Sequence, residues 1–237
     1  MRPTKYLKIF VLLVIVCLSI RLSVAQTCLS GTYYIGGTNP NYTTINDAVN
    51  ALDSLGVCGP VIFKINSGTY TEQITIPYIT GASAINNITF ESSTGDSTSV
   101  VIQFAVITGV PNCIIKLDSA KYINIKNVHL KTTTQFSVSQ VIIISNGSCN
   151  NTIEGCIIQS LFLSSGGYSN IYFEGFNNNN NIIRNNRLLY GLYSICSYSG
   201  GPIIIGNNNL IENNIFKDFY LDNPKNLNLQ AITSALK

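Results

Sequence analysis

Apolar residues recur along most of this chain in pairs separated by one position, the alternation that turns both side chains of a short strand to one face. The pairs are Phe63/Ile65, Ile88/Phe90, Ile115/Leu117, Ile142/Ile144, Ile171/Phe173 and Ile203/Ile205. Turn formers follow each pair: Asn66-Ser67, Glu91-Ser92, Asp118-Ser119, Ser145-Asn146, Glu174-Gly175 and Gly206-Asn207. Successive pairs lie roughly 25 to 32 residues apart, a solenoid period. That spacing predicts that the pairs stack in one column.

A second register runs through the last four repeats. Ile125, Ile153, Ile183 and Ile211 are each followed two residues later by Asn127, Gly155, Asn185 and Asn213. Then come Val128/Leu130, Cys156/Ile158, Asn186/Leu188 and Asn214/Phe216. Only Asn or Gly fills the bend column, the residues that enter the left-handed region most cheaply. Three short strands per repeat, stacked in parallel, make an all-β fold: a right-handed parallel β-helix (solenoid) of about six rungs. The outward positions Lys126, Glu154, Arg184 and Glu212 alternate in sign at rungs about 4.8 Å apart, a charge ladder that sets register.

One segment has helical spacing. Ile45, Ala48, Val49, Leu52 and Leu55 recur at three- and four-residue intervals, with Thr44 as N-cap and Gly56 as stop. Placed just before the first rung, this amphipathic helix is expected to cap the coil, whose end would otherwise leave backbone groups unpaired. The chain divides into a signal peptide (1–25), an N-terminal strand and capping helix (26–60), the β-helix (61–222) and an irregular tail or incomplete next rung (223–237). No second cap is legible, which reads as the start of a longer protein.

The first 25 residues change the charge picture. Basic Met1–Lys8, the apolar run Ile9–Ile20 and the small residues of Ser23-Val24-Ala25 form a secretory signal, cleaved between Ala25 and Gln26. The run falls short of the ~20 apolar residues of a membrane span, so membrane attachment would come only through an uncleaved signal. Val16 is too large for the residue before a lipidated Cys17. The formal charge of +3 owes four cations to this segment: Arg2, Lys5, Lys8 and Arg21. Without them ten basic and eleven acidic residues remain, a net of −1, and no bulk electrostatic case for nucleic acid or a membrane surface survives. Six cysteines remain as well. Cys28 and Cys58 flank the helix and are the one pair expected to bond, and no cysteine pair has zinc-ligand spacing.

Over roughly residues 40–220 the repeat shape resembles the pectin-lyase-like superfamily of right-handed β-helices. Gly31-Thr32-Tyr33, Gly36-Gly37, the Tyr42–Leu55 segment and Gly68-Thr69-Tyr70-Thr71-Glu72 resemble the opening of large secreted bacterial β-helix proteins. Gly68, Tyr70 and Glu72 are also similar to the Gly-x-Tyr-x-Glu element of pectin methylesterases. The stretches that carry the catalytic carboxylates and arginine of those enzymes (Gln-Asp-Thr-Leu, Asp-Phe-Ile-Phe-Gly and Arg-Pro-Trp) do not occur here, and the chain has no Trp. The shared element reads as the shape of a first rung, and fold does not fix function.

Two function classes follow. The first is an exported, non-enzymatic scaffold or adhesion module, secreted or at the cell surface, touching a polysaccharide or other cell-surface glycan. Its binding candidates are Tyr168, Tyr172, Tyr190, Tyr193 and Tyr198, clustered around the two longest repeats, because sugars stack on aromatic faces and loops leaving a rigid scaffold carry recognition. The alternative is a polysaccharide lyase or esterase acting on an acidic polysaccharide. Its catalytic candidates are Glu91 and Asp118, expected side by side in one turn column with Glu174 beyond, where paired carboxylates could work as acid and base or hold Ca2+. Turn chemistry alone also explains acids in that column. Lys116 and Lys131 are expected to point outward away from any carboxylate column, and His129 to face solvent without a nucleophile partner. No cofactor or metal site is otherwise expected. Sequons stand at Asn41, Asn87, Asn146 and Asn150.

Overall fold

The computed structural model describes residues 28–105, 112–133, 138–161, 167–198 and 206–218. Strand β1 (Leu29–Ile35) and helix α1 (Ile45–Leu55) precede a coil. Its first turn is β2 (Val57–Ile65), β3 (Gly68–Thr71) and β4 (Ile74–Ile76), and its second is β5 (Ile88–Ser92), β6 (Val100–Phe104) and β7 (Ile115–Asp118). The third comprises β8 (Ile123–Lys126), β9 (His129–Thr132) and β10 (Val138–Ser145); the fourth, β11 (Thr152–Glu154), β12 (Ile157–Gln159) and β13 (Gly167–Glu174). The fifth has β14 (Ile182–Arg184), β15 (Arg187–Leu189) and β16 (Tyr193–Tyr198), and β17 (Leu210–Glu212) with β18 (Ile215–Lys217) begins the sixth. Each turn lays one strand in each of three sheets: seven-stranded sheet A (β1-β2-β5-β8-β11-β14-β17), six-stranded sheet B (β3 to β18) and five-stranded sheet C (β4 to β16). All the strand pairs are parallel, so the fold is a parallel β-helix.

The bend column stands as expected. Ile125, Ile153, Ile183 and Ile211 pair rung to rung inside sheet A, and Asn127, Gly155, Asn185 and Asn213 all have positive φ, between 51° and 66°. At Gly155 the close approach of the preceding rung adds a second reason, because a Cβ there would run into the Asn127 carboxamide. Buried asparagines beneath the bends answer the backbone. Asn186 Oδ1 accepts from Cys156 N at 2.9 Å while its Nδ2 donates to Ile153 O at 2.9 Å. Asn151, Asn181 and Asn209 repeat the arrangement at the corner between sheets C and A, satisfying backbone groups that burial would otherwise leave costly.

The other expected column is two columns. Phe63/Ile65 and Ile88/Phe90 lie in sheet A, offset by two residues: Phe63 pairs with Phe90 and Ile65 with Ser92. Ile115/Leu117, Ile142/Ile144 and Ile171/Phe173 stack in sheet C above Ile74/Ile76. Ile203/Ile205 lies outside the described residues. The reason is that inward pairs of all three sheets share one signature, so a repeat of about 27 residues is met equally by strands of different sheets.

Helix α1 matches its expected bounds. Thr44 and Asp47 close a reciprocal capping box at 3.0 Å each way, and Gly56 ends the helix at φ 66°. Ile45, Ala48, Val49 and Leu52 are buried in the core shared with the coil, and Ile45 lines an apolar cavity of about 10 Å³ with Ile65, Ile74, Ile76 and Phe90. The Gly-x-Tyr-x-Glu element holds this end together. Tyr70 Oη donates to Asn66 O at 2.8 Å, and Glu72 accepts from the Ile45 and Asn46 amides at 3.1 and 2.9 Å. A carboxylate at a helix N-terminus meets both open N–H groups and the favourable end of the dipole. The Cys28–Cys58 disulfide is present, with Cα atoms 5.6 Å apart. The expected signal segment, Cys17 and the tail from 223 lie outside the described residues.

Candidate functional site

The outer face of sheet C collects the chemistry-bearing side chains that the sequence scatters. In register, Lys116, Ile143, Tyr172 and Cys196 form one row, and Asp118, Ser145 and Glu174 another. Lys116 does lie beside carboxylates, contrary to expectation. Its Nζ is 3.5 Å from Glu174 and 3.9 Å from Asp118, and its side chain is only 16% exposed. Asn146, one residue past Ser145, donates to the other Asp118 oxygen. Stacking puts Asp118 and Glu174 two rungs apart, and the long lysine side chain bridges them. Burial pushes the neighbouring Cys196 thiol up to about 11, so it rests as a neutral thiol rather than a nucleophilic thiolate.

Four of the five candidate tyrosines lie on strands of the same sheet. Tyr168 and Tyr172 lie on β13, Tyr193 and Tyr198 on the adjacent β16, and Tyr190 stands in the turn three residues before β16. Tyr172 and Tyr193 are both partly exposed. Tyr190 has φ 59° and donates its backbone N–H to Lys217 O at 3.1 Å.

Glu91 is elsewhere. It lies on sheet A, paired in register with Lys64 and Lys126, and its carboxylate meets Lys64 Nζ at 2.6 Å. Glu91 and Asp118 therefore do not share a turn column, for the same reason that the first apolar register split in two. Glu91 instead extends the expected charge ladder to Lys64, Glu91, Lys126, Glu154, Arg184 and Glu212. Within it Glu154 contacts Lys126 at 3.2 Å and Arg184 at 2.8 Å. Burial raises the Glu154 carboxyl, but hydrogen bonds and charge from Arg184 and Lys126 outweigh it and hold the group below its ordinary value. His129 and Lys131 lie on sheet B, where His129 Nε2 meets Gln159 Oε1 at 3.0 Å. Among the described residues, no three His, Cys, Asp or Glu side chains come together as a metal site would need, and no helix is long and apolar enough to cross a membrane.

No protein-family model and no curated protein sequence matches the chain. Solved structures do resemble it. Escherichia coli ybhc matches with a TM-score of 0.51 at 12% identity, covering 81% of this chain and 66% of that one. The pectin methylesterase from Aspergillus niger matches at 0.46 and 16% identity, covering 84% and 80%. A rhamnogalacturonan lyase matches at 0.40 and 12% identity, over 79% of this chain and 63% of that one. What this protein shares with them is the fold. It is a parallel β-helix.

Proposed function

We propose that the protein is an exported, non-enzymatic β-helix, a surface scaffold or adhesion module, that holds a polysaccharide against sheet C. The observation that carries this reading is that Tyr172 stands in the outward row of Lys116, beside the Lys116–Asp118–Glu174 group, with three more candidate tyrosines in the same two adjacent strands, β13 and β16. Aromatic faces take the apolar faces of sugar rings, and carboxylates, a lysine and Asn146 offer hydrogen bonds to hydroxyls. The disulfide supports export, since such bonds persist in oxidising compartments. The test is retention of the full chain on a panel of immobilised polysaccharides. Tyr172→Ala and Tyr193→Ala should each weaken retention while leaving the circular dichroism spectrum unchanged; unchanged retention in both sinks the tyrosine face.

A second reading is a carbohydrate-active enzyme, a lyase or esterase on an acidic polysaccharide. It now rests on Asp118 with Lys116 and Glu174 on one face, rather than on Asp118 with Glu91. Calcium-supplemented cleavage and de-esterification assays on pectin distinguish the two. Turnover abolished by Asp118→Ala would replace the scaffold reading with the enzymatic one.

A further inference from the structure

The parallel coil sorts charge by face. Sheet A carries three cations and three carboxylates in one alternating ladder. The strands of sheet C carry Lys116 against Asp118 and Glu174. The six strands of sheet B carry Lys131, Arg187 and Lys217, with His129, and contain no carboxylate. Leu130, Ile158 and Leu188 fill the core from these strands, so their neighbours point outward. Lys131 stacks between Gln103 and Gln159, and Gln159 is followed by Leu189 and Lys217. Arg187 lies in the adjoining row, two rungs above His129.

These cations are poorly neutralised. Among the described residues no ion pair engages Lys131 or Arg187. Lys217 meets Asp218 at 3.8 Å, an exposed pair that solvent screens strongly. Glu72, at the end of β3, is turned to the helix amides. Burial first, and then the charges of Lys131 and Arg187, hold His129 below its ordinary value despite the Gln159 hydrogen bond, so the face repels a further proton. A bound polyanion would supply the counter-charge that Lys131 and Arg187 lack among the described residues.

We propose that the outer face of sheet B binds an extended acidic polysaccharide, its carboxylates or sulfates met by Lys131, Arg187 and Lys217 and its hydroxyls by Gln103 and Gln159. Two rungs separate Lys131 from Arg187, about 10 Å, so the cations are spread along the coil as charges are spread along a sugar polymer. Three full charges fall short of the ~4–8 clustered cations that hold an anionic membrane. The outward rows of this sheet contain no Tyr or Phe, so the stacking platform that single-stranded nucleic acid uses is missing. This site is on a different face from the tyrosines and stands whether or not they bind.

The experiment measures binding of the full chain to polygalacturonate and to dextran sulfate, with neutral dextran as control. Either acidic polymer should bind, more weakly as salt rises toward roughly 0.5 M, where charges more than a few ångströms apart are screened. The triple variant Lys131→Gln/Arg187→Gln/Lys217→Gln should lose at least about tenfold in affinity, as expected for charge-assisted contacts. Lys64→Gln/Lys126→Gln, which lowers the charge of sheet A instead, should bind as the unaltered chain does. Equal losses in the sheet A and sheet B variants, no loss in the triple variant, or tighter binding to single-stranded DNA or phosphatidylserine vesicles would each overturn the proposal.

Discussion

From the third turn onward the outer faces of sheets A and B are built from strands of three or four residues on the same rungs, joined by the same Asn/Gly bend, yet their charges are arranged in opposite ways. On sheet A every cation has a carboxylate above or below it, from Lys64 to Glu212. On sheet B the cations have amides and aliphatic side chains as rung neighbours. In a parallel stack a residue meets the same strand position on the next rung, so one column's sequence decides whether a face is self-neutralising or open to a charged partner. A net charge near zero hides this, because it sums over faces that never meet.

The bend shared by both faces is the most sensitive point. Asn186→Ala removes the partner of two buried backbone groups, Cys156 N and Ile153 O, and should destabilise the fold by about 3 kcal/mol, read as a lowered Tm. If the two faces were independently stable, thermal melts would show two transitions instead of one.

Charge reversal should separate the faces. Glu154→Lys sets a third cation between Lys126 and Arg184 and should cost about 1–2 kcal/mol by chemical denaturation. Arg187→Glu on sheet B should leave Tm unchanged, because Arg187 has no ion-pair partner among the described residues to lose. Equal losses would erase the distinction between the two faces.

Acid should act on sheet A through Glu154. The folded Glu154 carboxyl lies below its ordinary 4.5, so its stabilisation is full above that value and is lost as the pH falls through the lower folded one. The Tm difference between the unaltered chain and Glu154→Gln should therefore be constant near neutrality and shrink in acid. A difference independent of pH would mean that Glu154 acts by packing.

The smallest effect is local to sheet B. Removing either Lys131 or Arg187 by substitution with Gln should raise the pKa of His129, followed by NMR titration of its ring protons. An unmoved titration would mean that burial alone holds it down.

Much of this was legible because the coil repeats. The Asn127–Gly155–Asn185–Asn213 column could be read because a sharp bend admits few residue types, and α1 because its cap, stripe and stop agree with one another. Glu91 was misplaced because an apolar pair looks the same in every sheet. Lys116 was read as isolated because Glu174, its nearest partner, is 58 positions away in the chain and two rungs away in space.

By itself the sequence determined the period, the bend positions, the helix and the disulfide, since each depends on local residue chemistry or on repetition along the chain. Only the tertiary structure decided which strands share a sheet. That assignment turned Glu91 into a member of a salt ladder, joined Lys116 to Asp118 and Glu174, and set Lys131 and Arg187 on one face with no ion pair among the described residues. The physical reason is that stacking register is a relation between turns of the coil, and no short window of residues contains it.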